Sequence, residues 1–420
     1  MSDTSPAEAG SQHRSAGRAQ TRALLSHGPV RLLFGARSVS LLGDFLVPVA
    51  LATALLQNGG GPTDLGLVLA ARSVPGVVFL LLGGAVGDRL SRRHVMVVAE
   101  SVACLSQLAL GVVILTGRLS VPLVAALVAV RATTSAFFNP AATGAIADVT
   151  PSGLLQRAYG LFGTAATAAE LLGPAVAGGL LIWLSPGCVI IADGMTFAVS
   201  AALVWRLPLS RPRPSAERPP LRRELLGGFV HLRRERWLGV LILSACAFQF
   251  FFITSLDVLG PSVIADIMGT AAGWSVLMVA FGIGATAGSL LGMQWRVRQP
   301  LVAACTAMVC LSGPALVALA LEAPLWMLAV SQMGAGLAMG LFNVLEQYTI
   351  AERVPTELMA RVDSVNRLGS SVLRPAGMAM VGPVAGLLGT GHTLLLAAAA
   401  ATIAMAVPLA VSDVRALRRR

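Results

Sequence analysis

Lysine does not occur anywhere in the 420 residues, so every one of the 31 basic residues is an arginine. That absence excludes a standard phosphate-binding loop, whose lysine reaches the nucleotide phosphates, and any lysine Schiff base. A primary ATPase is set aside with them. Charge of either sign is scarce, at 12% where ordinary soluble domains carry roughly 25%. Hydrophobic residues make up 55% and the mean hydropathy is +0.77. A water-soluble fold is excluded, because most of the chain must sit where ions are costly to hold. Aromatics are few, at 5%, and never interleave with the arginines in one patch, so a net charge of +11 does not point to nucleic acid. Cys104, Cys188, Cys246, Cys305 and Cys310 show no paired metal spacing and mostly fall in apolar runs, which reads as small buried hydrophobes and predicts neither a metal nor a cofactor. No H-E-x-x-H occurs, and Gly43-Asp44 lacks the preceding glycine of a G-x-G-D protease, which sets an intramembrane hydrolase aside.

What the chain does contain is long apolar runs. A helix crossing a bilayer needs about twenty predominantly apolar residues, since any open backbone would be stranded in hydrocarbon. Twelve segments qualify, at 33–57, 65–87, 94–116, 120–146, 159–184, 187–206, 237–258, 272–294, 300–321, 324–349, 364–388 and 392–411. The expected fold is therefore an all-α integral membrane protein of twelve transmembrane helices.

Arginine placement tests that count independently. Twelve spans put both termini on one side, and on that side fall the arginines of residues 1–31, Arg89, Arg92, Arg93, Arg157, the run from Arg206 to Arg236, Arg296, Arg298, Arg353, Arg361 and those of the tail 412–420. Arg118 alone faces the other side, and Arg37, Arg72, Arg131, Arg367 and Arg374 lie within helices. By the positive-inside rule both termini are expected in the cytoplasm of a cell-membrane protein. Residues 1–31 read as a polar cytoplasmic tail, since no apolar core precedes a cleavage site. The proline- and arginine-rich stretch 207–236 reads as a cytoplasmic linker between two bundles of six helices, 32–206 and 237–411.

The two bundles also resemble each other in sequence at a shift of 204 positions. Phe138 and Asn139 fall on Phe342 and Asn343, Asp148 on Glu352, and the P-x-x-L-x-x-R of Pro151, Leu154 and Arg157 on Pro355, Leu358 and Arg361. Gly173 meets Gly377 and Gly178 meets Gly382. Duplicated halves related by an axis along the membrane normal are a transporter signature, with the substrate site near the midplane between them.

The stretch GGAVGDRLSRRHV, residues 83–95, interrupts two apolar runs with Asp88, Arg89, Arg92 and Arg93. Arginines in such a turn hold topology; a carboxylate beside them can form a charge-assisted network that locks helix ends and breaks if they separate. Gly84 to Arg93 is similar to the loop 2-3 signature of the major facilitator superfamily, G-x-L-A-D-R-x-G-R-R, with Gly84, Asp88, Arg89, Arg92 and Arg93 matching and Ser91 in place of a common glycine. SLLGDFLVPVAL (40–51), LAARSVPGVV (69–78), AFFNPAATGAIADV (136–149) and LLGPAVAGGLL (171–181) resemble the macrolide-efflux and enterobactin-exporter branch. The resemblance implies the major facilitator fold and proton-coupled export. It also implies that the loop 2-3 motif braces the halves near the region of Arg367. Gly173, Pro174, Gly178 and Gly179 resemble the antiporter motif of drug exporters; plain helix packing is an equal reading of these glycines.

Ionisable groups at membrane depth cost about 2.5 to 3.5 kcal/mol on insertion scales and need a function or a partner. Asp44 is the leading proton carrier, with a permanent pair to a neighbouring arginine as the alternative. Arg131 matches the helix 4 arginine that the family implicates in proton relay, and could equally hold an anionic substrate or neutralise Asp44. Glu170 is a further coupling candidate; it and Arg374 are equivalent under the 204 shift, so an ion pair across the halves is one expectation, with Arg367 on the same face as Arg374. Arg72, Glu100, Asp193 and Asp257 lie nearer the expected helix ends and read as structural. Cavity candidates are Arg37, Asp44, Phe138, Asn139, Gln249, Phe250, Asn343 and Glu346, a set that suits an amphipathic guest better than a sugar. The expected function is proton-coupled efflux of a small amphipathic compound, drug-like, macrolide-like or siderophore-like, by a monomer in the bilayer. A nutrient importer or facilitator on the same fold, and a non-transporting sensor, are the alternatives.

Overall fold

The computed structural model describes residues 24–79, 91–151, 153–208, 235–295, 297–354 and 372–417. Among these, all regular structure is helical. In the first half run α1 (Gly28–Gln57), α2 (Pro62–Val78), α3 (Arg92–Leu115), α4 (Val121–Val149), α5 (Leu155–Trp183) and α6 (Pro186–Trp205). In the second half run α7 (Arg236–Met268), α8 (Trp274–Gln294), α9 (Pro300–Ala320), α10 (Leu325–Arg353), α11 (Arg374–Leu388) and α12 (Thr390–Ala410). Ten of these are long and apolar enough to cross a bilayer within the described residues, and α2 and α11 each border an undescribed stretch. They make up the twelve membrane helices of a two-bundle fold. The expectations for Gly84, Asp88, Arg89 and Arg367, for residues 1–23 and for most of the linker lie outside the described residues.

Local chemistry explains where the helices begin and end. Pro62, Pro186 and Pro300 each open a helix at the position where a missing N–H costs nothing. At the start of α2 the Gly61 N–H donates to the Asp64 carboxylate at 2.9 Å. Gly269, at φ 70°, ends α7 in the left-handed conformation that glycine adopts without strain. This helix runs ten residues past its expected end at 258, because Leu259, Val263 and Ile264 are buried. Gln249–Ile253 form a π-helical turn inside α7, and such turns are frequent at functional sites. Helix α9 is interrupted at Ser312, just before Gly313 and Pro314.

The repeat seen in sequence reappears as structure: α4 and α10 have bounds that differ by the same 204 positions at both ends. Within the halves, small residues bring backbones together. Gly284 and Gly288 of α8 lie against the carbonyls of Met333 and Leu337, while Gly336 and Gly340 of α10 lie against those of Phe281 and Ala285. A Cβ at any of the four would overlap the facing backbone, which is the close approach that small-xxx-small spacing permits.

Two seams join the halves. Along one, Gly66 of α2 meets the Met378 carbonyl of α11, Gly382 meets Thr63, and Ser73 Oγ donates to Met378 Sδ at 3.4 Å. Along the other, Gly178 of α5 meets Ser275 of α8, and Leu171 lies against Gly282. Gly66, Gly382 and Gly178 sit toward the side away from the termini, and Ser73 and Leu171 lie near mid-membrane. On the terminal side Gly160 and Gly163 of α5 have nothing within 4 Å. Among the described residues the halves therefore touch from the far side to mid-membrane, and α5 is open beside Gly160 and Gly163 on the side of the termini; residues 80–90 and 355–371 lie outside the described residues.

Candidate functional site

Helix α1 presents Arg37, Ser40 and Asp44 at i, i+3 and i+7, and α4 presents Arg131, Ser135 and Asn139 at i, i+4 and i+8, so each set forms one face. The helices run antiparallel, which matches the sets end for end. Arg37 Nη2 donates to Asn139 Oδ1 at 2.8 Å, and Arg131 Nη2 forms an ion pair with Asp44 Oδ1. The Arg131 guanidinium also donates to Ser135 and lies 4.3 Å from the Phe197 ring centroid. Arg37 lies 5.2 Å from the ring of Phe138, which is itself buried in the core of the first half. Asp44 and Arg131 lie about 20 Å and about 15 Å from the far-side ends of their helices, which is mid-membrane.

Behind this pair stand residues that the sequence reading had assigned to helix ends. Glu100 of α3 is 2% exposed and Asp193 of α6 is 0% exposed. Ser200 Oγ donates to Glu100 Oε1 at 2.9 Å, and Gln107 Nε2 donates to Asp193 Oδ2. The expected placement near helix ends is corrected here for a physical reason: eight residues of helix place Glu100 about 12 Å beyond the start of α3, farther than a carboxylate side chain can reach back to water. Gly43 allows the Asp193 carboxylate to approach α1 directly beside Asp44, where a Cβ would overlap it. Asp193 is within electrostatic reach of Arg131. The sequence signal that could have found these residues is spacing. Glu100 and Gln107 on α3, and Asp193 and Ser200 on α6, are both seven apart and pair in opposite order.

The space enclosed by Arg37, Ser40, Asp44, Glu100, Arg131 and Asn139 measures about 10 Å³. That is at most room for one water. No organic substrate fits there in this state.

A second charged group lies between the halves. Arg374 Nη2 of α11 donates to Asp257 Oδ2 of α7 at 2.8 Å. Asp257, expected at the end of its helix, is mid-helix because α7 continues to Met268. Arg374 pairs within its own half and not with Glu170, because it sits on the α2 and α7 side of α11 while α5 lines the opposite seam. Arg72 of α2 lies within electrostatic reach of Arg374, Asp257 and Asp193.

Glu170 projects toward the space between the halves. On α5, Gly173 packs on Phe45 of α1, Leu171 and Gly178 pack on α8, and Leu172, Val176 and Trp183 form an exposed apolar stripe. At 100° per residue Glu170 falls between the first two faces and opposite the stripe. Gly173 thus packs within its half, Gly178 lies at a seam, Pro174 sits inside the helix, and Gly179 has nothing within 4 Å.

The remaining expected residues are dispersed. Gln249 and Phe250 are half-buried in the π-helical turn, and Asn343 is exposed on α10. Glu346 is buried within reach of Cys305 of α9. Arg92 donates to Asp148 at 2.5 Å and to the Gly144 carbonyl at 3.1 Å, while Arg93 lies 4.9 Å from the Trp205 ring. Both arginines of the loop motif that are described therefore tie α3 to α4 and α6 of their own half.

Residues 33–378 match the profile of the Major Facilitator Superfamily. Similar sequences include the multidrug efflux pump Tap of Mycolicibacterium fortuitum, 27% identical over 88% of this chain and 92% of the pump. Macrolide efflux protein A of Streptococcus pyogenes is 23% identical over 87% of this chain and 91% of that protein. Among solved structures, the D323A mutant of the nucleoside transporter NupG superposes with a TM-score of 0.74 at 13% identity, covering 90% of this chain and 99% of NupG.

Proposed function

This chain belongs to the Major Facilitator Superfamily, and on that premise we propose that it is a cell-membrane exporter of small amphipathic compounds driven by inward proton flow. The arginine distribution supports cytoplasmic termini, and with that orientation the open side of α5 beside Gly160 and Gly163 supports a state open inward. The observation that carries the coupling is the Asp44–Arg131 ion pair, set in a space too small for anything but water. A proton arriving at Asp44 removes one charge of the pair and frees Arg131 to turn toward Asp193, its other acidic neighbour. Because the pair joins α1 to α4, that exchange shifts the two helices against each other. Glu170 faces the space between the halves without an ion-pair partner among the described residues, and is the coupling group placed to sense an occupant. The names of the two similar efflux proteins support the outward direction.

Everted membrane vesicles test this reading. Erythromycin and ethidium serve as probes, with a proton gradient imposed and then collapsed by an uncoupler. Uptake into everted vesicles that is abolished by the uncoupler is the expected result. Accumulation in right-side-out vesicles instead, or indifference to the uncoupler, would overturn it.

A further inference from the structure

Arg72 has no hydrogen-bond or ion-pair partner among the described residues, yet it lies about 15 Å from the far-side end of α2. An arginine at that depth carries the insertion cost stated above and normally has a carboxylate or carbonyl to offset it. Its direction on α2 is set by its neighbours. Gly66 and Ser73 face α11, Leu67, Val74 and Val78 form the exposed apolar stripe, and Phe79 packs on Phe137 of α4 at 5.7 Å. Arg72 falls beside Phe79, about 20° away at 100° per residue, between the α4 and α11 sides of the helix, which turns it toward the interior. Its side chain is solvent-accessible there while surrounded by protein, as a cavity wall requires.

Arg374 is within electrostatic reach of Arg72. One of its nitrogens holds Asp257, and its Nε is buried without an acceptor. Two guanidinium groups therefore share one carboxylate, leaving a net positive charge between α2, α7 and α11. Asp193 does not cancel it, being fully buried, held by Gln107 and turned toward Arg131. One turn along α11 from Arg374, Gly377 packs against Phe250 of the π-helical turn, and Phe250 meets Phe251 edge to face at 5.0 Å. A cationic pair thus lies next to an aromatic wall.

We propose that Arg72 and Arg374 form an anion-binding subsite of the transport cavity, and that the compounds carried include amphipaths with a carboxylate or equivalent single negative charge. The proposal rests on the reading of this chain as an exporter of amphipaths and names the chemistry of its cargo. A planar carboxylate matches the fork of Arg72 and offers an acceptor to the unfilled Nε of Arg374. The apolar body of the compound lies on Phe250.

Matched acid and ester probes test it: naproxen and fusidic acid, each beside its methyl ester, bound to the purified full chain in nanodiscs with empty nanodiscs subtracted. Each acid is expected to bind about tenfold more tightly than its ester, as loss of a charged hydrogen bond implies, and the ratio is expected to fall to about one in Arg72→Gln. Arg72→His provides the same test within one folded protein, with acid preference at pH 6 that disappears at pH 8. Absence of acid preference in both pairs, its survival in Arg72→Gln, or a ratio in Arg72→His that ignores pH would overturn the proposal. The vesicle assay with erythromycin and ethidium, neither of which carries a carboxylate, is independent of this result, so failure of the subsite and failure of proton-driven export are distinguishable.

Discussion

Arg131 of α4 forms its ion pair with Asp44 of α1 while Asp193 of α6 stands in the notch left by Gly43, so a single guanidinium serves two neighbouring carboxylates. Three helices meet at that point. A change of charge on any one of the three side chains alters the packing of the other two, which is the property a coupling site needs.

The first prediction follows from removing the charge of Asp44. Asp44→Asn keeps the shape and can still accept a hydrogen bond from Arg131, so the fold is expected to survive. Proton-driven accumulation of erythromycin in proteoliposomes is expected to fall at least about tenfold, the effect of losing a coupling step worth 1.4 kcal/mol or more. Exchange of labelled for unlabelled probe, which needs no net proton movement, is expected to continue. Full accumulation in Asp44→Asn would exclude it as the carrier.

Removing the cation instead tests the balance of the cluster. Arg131→Gln leaves Asp44 and Asp193 facing each other without a counter-charge, and breaking a buried pair in this way costs about 3 to 5 kcal/mol. The variant is expected to melt earlier in detergent than the parent. Adding Asp44→Asn to it is expected to recover part of the loss, and the double-mutant cycle reads that coupling directly. Strict additivity of the two changes would argue that the pair does not act as a unit.

How much of this was legible beforehand varies with the residue. Asp44 and Arg131 announced themselves because each lies deep in a long apolar run, where the cost of an ion is greatest. Glu100 and Asp193 did not, since each follows a helix start by only seven or eight residues and was credited with an escape to water that a short carboxylate lacks. Spans such as α4 and α10 were readable from hydropathy, whereas the last ten residues of α7 were not. There Asp257, Pro261 and Asp266 dilute the apolar signal, and only the burial of the residues between them shows that the helix continues. Arg72 was visible as an intramembrane charge, but the lack of a partner is a property of three helices meeting and not of any one segment.

Gly43 provides a steric test of the same site. Gly43→Ala places a methyl group where the Asp193 carboxylate sits, and overpacking of that kind typically costs about 1 to 3 kcal/mol. A lowered melting midpoint is expected, with partial rescue by Asp193→Ala, which empties the space the methyl needs. If Gly43→Ala melts with the parent, the approach of α6 to α1 is looser than described.

The outer seam leads to a prediction about the transport cycle itself. Gly178 of α5 packs directly on Ser275 of α8, while Gly163, about two turns of α5 from Glu170 toward the terminal face, has nothing within 4 Å. If the halves rock, the first contact must open and the second position must close once in every cycle. Gly178→Cys with Ser275→Cys, in a chain whose five cysteines are replaced by serine or alanine, is expected to form a disulfide that stops erythromycin efflux and releases it again on reduction. A single cysteine at Gly163 is expected to label rapidly with a water-soluble maleimide in the inward-open state and slowly when the outward-open state is favoured. Undiminished efflux by the oxidised double-cysteine chain would show that the α5–α8 seam stays shut throughout, and alternating access would then have to proceed along the α2–α11 seam alone.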